Sequence, residues 1–149
     1  MKLAFDLDDT LIPTSVMFKC GVEKGNFSSG EIPRDSLRTG AKELLIEISN
    51  SHELWIYTTS YRSPESVKMW FNAFGVDIFG FINADIHDKH VEGTLYEKFT
   101  KAPKLFGIDC LIDDSKGVEL ECEEQGIKCI IVDPSDNNWA DRIRSELFL

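Results

Sequence analysis

The stretch that decides the fold is Lys2-Leu3-Ala4-Phe5-Asp6-Leu7-Asp8-Asp9-Thr10-Leu11. Lys2 to Leu7 is a short apolar run, the length of one buried strand. The chain then turns abruptly polar, with three acids and a hydroxyl. Asp6 and Asp8 stand two apart, and in an extended segment such residues share a face. Both carboxylates are therefore expected to point into one site. Carboxylates that close repel, and one of them takes up a proton unless a cation lies between them.

Outward from this stretch, apolar runs alternate with helical periodicity. Leu37, Ala41, Leu44, Leu45 and Ile48 recur at helical spacing and predict a first helix ending near Asn50. Leu54 to Tyr57 is a second strand, closed by Thr58-Thr59-Ser60. Ser63-Pro64-Glu65 is a helix start, with Ser as N-cap and Pro in the first turn. Val67, Trp70, Phe71 and Phe74 form that helix's apolar face, and Gly75 stops it. Phe81-Ile82 is a brief third strand, and Cys110 to Ile112 a fourth that ends in Asp113-Asp114-Ser115. Val118 to Gln125 is helical, Ile127 to Val132 a fifth strand, and Trp139, Ile143 and Leu147 mark a closing helix. Two stretches break the alternation. Residues 12–36 hold three glycines and two prolines and predict a covering loop or small hairpin over the strand ends. Asp85 to Thr100 is polar and receives no element; His87 and His90, with Asp88, could form a second metal site, but their polar, aperiodic surroundings favour an exposed loop.

Strands joined by crossover helices give an α/β, Rossmann-like parallel sheet with helices on both faces. In such sheets ligands bind at the carboxyl ends of the strands. Acids follow the first and fourth strands, hydroxyls follow the second, and Lys98, Lys101 and Lys104 precede the fourth. A cluster of carboxylates with that setting calls for a counter-charge, and Mg²⁺, with its preference for oxygen, is the natural one.

The chain has 149 residues, the size of one domain spanning 1–149, and can build a core without staples. Sixteen basic against 26 acidic residues leave a net charge of −10, which disfavours nucleic acid and anionic membranes. No apolar run reaches the roughly 18 residues of a membrane helix. The N-terminus meets an acid at once and lacks the apolar region of a secretory leader. Cys20, Cys110, Cys122 and Cys129 match neither a metal nor a redox spacing, and Cys110 and Cys129 lie in apolar runs, as buried free thiols would. A reducing cytoplasm fits this usage. Trp55, Trp70 and Trp139 are expected in the core, Phe18 and Phe27 in the covering loop. Oligomeric state is not encoded legibly.

The motifs together resemble those of the haloacid dehalogenase superfamily of phosphohydrolases. Phe5-Asp6-Leu7-Asp8-Asp9-Thr10-Leu11 is similar to its first motif, Leu54-Trp55-Ile56-Tyr57-Thr58 to its second, and Leu111-Ile112-Asp113-Asp114 to its fourth. The third motif is a single lysine, for which Lys101 is chosen over Lys98 and Lys104. Leu37-Arg38-Thr39-Gly40 and Tyr57-Thr58-Thr59-Ser60 resemble the small capless phosphatases, though these usually carry Pro where this chain has Thr39. The resemblance implies Asp6 as a nucleophile forming an acyl-phosphate and Asp8 as general acid and base. It implies Mg²⁺ held by Asp6, the Asp8 carbonyl and Asp114, with Asp113 behind. Lys101, Thr58 and the backbone at Thr59 would receive the phosphoryl oxygens. The substrate would be a phosphorylated small molecule or a phosphoprotein. About 25 residues separate the first motif from the first helix, too few for a helical cap.

Two other readings compete. A phosphoacceptor receiver domain shares the residue types but orders them differently along the chain. A non-catalytic interaction module on the same scaffold is the stronger alternative.

Overall fold

Five short strands carry the apolar runs and their carboxyl ends carry the polar ones, in a computed structural model that describes residues 1–20, 37–147 and 149. The strands are β1 (Lys2–Phe5), β2 (Glu53–Tyr57), β3 (Gly80–Ile82), β4 (Cys110–Asp113) and β5 (Lys128–Ile131). They pair in parallel in the order β3-β2-β1-β4-β5. The helices are α1 (Ala41–Ser51), α2 (Pro64–Ala73), α3 (Ala84–Val91), α4 (Lys116–Gln125) and α5 (Trp139–Leu147). The parallel sheet with helices on both faces is thus as the sequence predicts.

Strand alternation sets the two faces. Leu3 and Phe5 bury against Leu44, Leu45 and Ile48 of α1, Phe71 of α2 and Ile143 of α5. Ala4, Tyr57 and Leu111 face the other way, against Val118 and Cys122 of α4 and Ile86 of α3. Each fully buried Leu, Ile or Phe here contributes roughly 2 kcal/mol. Because β1 is central, covered on both faces and paired on both edges, the residue that follows it leaves from a fixed position. Phe5 pairs with Ile56 on one side and Ile112 on the other, so Asp6 is the first residue beyond the ladder on both.

Helix starts follow their capping residues. Ser63 accepts from the Ser66 amide at 3.1 Å with Pro64 in the first turn. Asn83 accepts from the Ile86 amide at 2.9 Å and so opens α3 directly after β3. That junction has no room for an inserted domain. Ser115 caps α4 through the Val118 amide at 3.3 Å.

Several expectations need correction. The stretch Asp85 to Thr100, left without structure by its polarity, holds most of α3 and a 3₁₀ turn over Leu95–Lys98. The helix is only eight residues long, and its inward face is built from Ile86, His87 and Val91, too few apolar residues to register as a stripe. His87 is buried on α3, not exposed in a loop, whereas His90 is exposed and sits 2.8 Å from the Ile86 carbonyl through Nδ1. The first helix begins at Ala41, not Leu37, because Gly40 adopts φ 91°, outside the helical region. Trp55 is half-buried, not core: its indole lies on Gly80, where a Cβ would come within 2.3 Å of the ring. Cys129 is likewise half-buried, while Cys110 is buried as expected, and all four thiols are free. Of the covering loop, residues 12–20 are described; the rest, with Phe27, lies outside the described residues.

Arg38 ties this loop to the C-terminal half. It is 3% exposed, with its guanidinium 4.5 Å from the Phe18 ring and 4.8 Å from that of Trp139. It donates to the carbonyls of Thr10 (3.3 Å), Asp133 (2.9 Å) and Asp136 (3.0 Å). No helix among the described residues is long and apolar enough to cross a membrane.

Candidate active site

The site begins where β1 ends. The Asp6 amide still belongs to the sheet, donating to the Ile112 carbonyl at 2.8 Å, so its side chain leaves from a rigid position. The chain then winds into a tight turn. The Leu7 carbonyl accepts from the amides of Thr10, Leu11 and Ile12, and Asp9 takes a positive φ of 63°. Asp9 tolerates that left-handed conformation because its carboxylate collects the amides of Thr14 and Ser15, each at 2.7 Å, and of Val16 at 3.2 Å. Burial pushes the Asp9 carboxyl up, but those bonds outweigh it and hold it below the usual carboxylate range.

This turn separates the two acids that an extended strand would have aligned. Asp6 is 7% exposed and faces inward. Its Oδ1 lies 2.7 Å from the Lys101 ammonium, and its Oδ2 accepts from the Thr10 hydroxyl at 2.9 Å. Asp8 instead meets Arg62 at 2.8 Å and the Thr14 hydroxyl at 2.8 Å, both on Oδ1. The two carboxylates thus have different partners: Asp6 belongs to the buried cluster, and the Asp8 carboxylate, half-buried, stands outside it. Arg62 was not anticipated, since a lone loop arginine carries no motif.

The end of β4 completes the cluster. Asp113 is 2% exposed, with Oδ2 at 2.6 Å from Lys101 Nζ and Oδ1 accepting from the Ser115 amide at 3.0 Å. Asp114 accepts from the Thr10 hydroxyl at 3.3 Å. Oxygens of Asp6, Asp113 and Asp114 all lie within 4.8 Å of one another. Thr10, unassigned from sequence beyond its motif position, thus bridges two of the three acids. Of the three candidate lysines, only Lys101 reaches this place. Lys98 pairs with Glu124 at the surface at 3.1 Å, and Lys104 is exposed.

The electrostatics follow from counting charges. Three carboxylates face one ammonium, which leaves an excess of negative charge. Burial raises the Asp6 carboxyl, Lys101 lowers it and Asp113 raises it again, and the sum carries it up to about 7. Asp114 is also raised, first by burial. Burial lowers Lys101, yet Asp6 and Asp113 outweigh that and hold it above its ordinary value. An all-oxygen donor set with surplus negative charge is what a hard divalent cation requires, so the residues present fit Mg²⁺.

Thr58, one step beyond β2, is 1% exposed, and its amide donates to the Ile82 carbonyl at 2.9 Å. Its hydroxyl lies 2.9 Å from the Ser60 hydroxyl and accepts from the Ser60 amide at 3.1 Å. Thr59 is exposed. Both line an open cleft of about 670 Å³ whose walls also include Tyr61, His87 and Phe99, but not Asp6, Asp8, Lys101, Asp113 or Asp114.

Comparison with solved structures places this architecture. A chain of a Pnkp1/Rnl/Hen1 complex aligns with a TM-score of 0.55 and 18% identity over 91% of this chain and 46% of its own. A predicted HAD-like family hydrolase from Porphyromonas gingivalis aligns at 0.53 and 11% over 97% of both chains. The chain has the haloacid dehalogenase fold. The fission yeast RNA polymerase II CTD phosphatase Fcp1-R271A, bound to beryllium fluoride, shares the fold at 0.51 and 21%, over 89% of this chain and 41% of its own. The chain thus spans less than half the length of two of these three neighbours. No protein-family model matches the sequence, and no curated protein does.

Proposed function

We propose that the chain is a Mg²⁺-dependent phosphatase that hydrolyses a phosphate monoester through a phosphoaspartyl intermediate on Asp6. The observation that carries this reading is the buried Lys101 ammonium held between Asp6 and Asp113 at the carboxyl edge of a haloacid dehalogenase-type sheet. Two of the neighbours, a hydrolase and a phosphatase, support it at the level of fold.

Asp6, Asp114 and the Asp8 carbonyl would hold the metal, with Asp113 behind them. When bound, the ion supplies positive charge for the carboxylate cluster and for the phosphoryl oxygens. Asp6 attacks phosphorus, the bond to the leaving oxygen breaks, and an acyl-phosphate results. Lys101 keeps the Asp6 carboxylate oriented and offers its charge to the transferred group. The Thr58 hydroxyl and the backbone at Thr59 receive another phosphoryl oxygen. Positioning and charge stabilisation of this kind provide most of the rate gain in phosphoryl transfer. Asp8 protonates the leaving oxygen, then takes a proton from the water that cleaves the acyl-phosphate. Arg62 and Thr14 fix that carboxylate through one oxygen, which leaves the other to exchange protons. The cleft beside Thr58 admits the phosphate ester of a small molecule or of a protein side chain.

The test is phosphate release from a generic aryl phosphate with and without Mg²⁺, for the parent and for Asp6→Asn. Metal-dependent release that falls at least about a thousandfold in Asp6→Asn is expected. No metal-dependent release in the parent, or equal release in the variant, overturns the reading.

A further inference from the structure

The segment Phe99–Pro103, which presents Lys101, belongs to no strand or helix. A lysine side chain on a free loop has about 2 kcal/mol of rotamer entropy to lose before it can occupy one position. Yet Lys101 Nζ lies within 2.7 Å of one carboxylate and 2.6 Å of another. Something other than regular secondary structure must hold the backbone from which it springs.

Three buried polar side chains, none of them used by the mechanism above, do so. The Tyr57 hydroxyl accepts from the Ala102 amide at 2.9 Å, on the C-terminal side of Lys101. The same hydroxyl lies 2.6 Å from His87 Nδ1. That contact holds the Tyr57 hydroxyl from α3. Gln125 Nε2 donates to the Lys101 carbonyl itself at 3.0 Å, and its Oε1 accepts from the Lys104 amide at 3.3 Å. The Tyr57 ring also lies 5.7 Å from the Lys101 ammonium, so one side chain touches both the backbone and the charge.

We propose that Tyr57, His87 and Gln125 are positioning residues: Tyr57 and Gln125 clamp the backbone at Lys101 and just after it, His87 holds the Tyr57 hydroxyl, and together they fix the Lys101 ammonium between Asp6 and Asp113. The consequence for activity rests on the reading of Lys101 given above; the clamp itself does not.

The proton inventory is consistent along the chain of bonds. A neutral His87 ring satisfies the contact in either tautomer: Nδ1 accepts the Tyr57 proton, or its N–H donates to the phenol oxygen beside the Ala102 amide. Burial keeps the Tyr57 phenol well above its ordinary value, hence protonated, and draws His87 below its ordinary value, hence neutral. His87 is thereby explained: it sits on α3 as the partner that holds the Tyr57 hydroxyl.

The experiment combines turnover with a readout that does not depend on it. In protein carrying ¹⁵N-labelled lysine, the Lys101 Nζ resonance is assigned by its loss in Lys101→Met. Tyr57→Phe removes one hydroxyl and keeps the ring. It should shift or broaden that resonance and lower kcat for the aryl phosphate about ten- to a hundredfold, with a smaller change in KM. His87→Leu should do the same, and His87→Gln, which keeps an acceptor and a donor, should recover most of the loss. Should Tyr57→Phe fail to fold, Gln125→Met, similar in shape, gives the same measurements from the other side. A folded Tyr57→Phe or Gln125→Met with the parent resonance and the parent kcat overturns the clamp. If the parent releases no phosphate, the phosphatase reading falls, and the resonance alone decides the clamp.

Discussion

Among the described residues two side-chain cations, Lys101 and Arg38, are buried, and they are satisfied in opposite ways. Lys101 and Arg38 are 2% and 3% exposed. Taking either charge out of water costs several kcal/mol unless partners answer it. Arg38 is answered by dipoles: the carbonyls of Thr10, Asp133 and Asp136 lie on its fork, with an aromatic ring on either side. It forms no ion pair among the described residues. The planar guanidinium suits this, since it spreads its charge over several donors and stacks on rings. Lys101 is answered by full charges, and by more of them than it can neutralise. A cation satisfied by dipoles leaves its surroundings electrically closed and works as a rivet. A cation set among surplus carboxylates leaves a site that still wants positive charge, and that difference marks where chemistry is expected.

Breaking either cation tests the contrast. Lys101→Met should lower kcat/KM for an aryl phosphate by about 10²- to 10³-fold. It should also cost about 3 kcal/mol in urea unfolding, because buried carboxylates lose their partner. Near-parent turnover in that variant would erase the distinction between the two sites. Arg38→Met should destabilise by about 2 kcal/mol through the carbonyls it leaves unpaired. Its activity per folded molecule should stay at the parent level, and a kinetic loss without a stability loss would show that Arg38 is no rivet.

The neutral frame around Lys101 gives a smaller, pH-dependent effect. His87 has a value in the folded state below its ordinary 6.5. The unfolded chain therefore binds the proton first as pH falls. The stability that His87 contributes is complete above about 6.5 and is lost progressively below it. The parent minus His87→Gln difference in unfolding free energy should shrink as urea titrations move from pH 7 to 5; a difference that grows contradicts the assignment. The smallest effect belongs to Lys98→Ala. Lys98 is 63% exposed and pairs only with Glu124 among acids, so stability should change by less than about 0.5 kcal/mol and turnover not at all.

The sequence made the sheet legible because β1, β2, β4 and β5 are continuous apolar runs, and their last residues named Asp6, Thr58, Asp113 and Asp114 as neighbours at one edge. It made Lys101 legible by motif order, though spacing alone left Lys98 and Lys104 open. Three features were out of reach for physical reasons. The turn after Asp6 is accompanied by capture of the Asp9 carboxylate by the amides of Thr14 and Ser15, five and six residues on, a loop closure that strand alternation does not register. Arg62 became visible only once β2 had brought its loop beside the first motif. His87 hid in an eight-residue helix whose buried face is partly polar, and polarity there reads as solvent exposure.

The register of the central strand has a consequence for folding. Leu3 pairs with Cys110, and Asp6 meets Lys101 only when that pairing is made. Closing a loop of that length is slow, and contacts between residues so far apart in sequence form late. Without β4, the β1-β2-β3 half of the sheet has an unpaired β1 edge and no cation beside Asp6. Docking of β4 then closes the sheet and assembles the acid cluster in one step. The acid cluster proposed to hold Mg²⁺ is therefore complete only once β1 and β4 have paired.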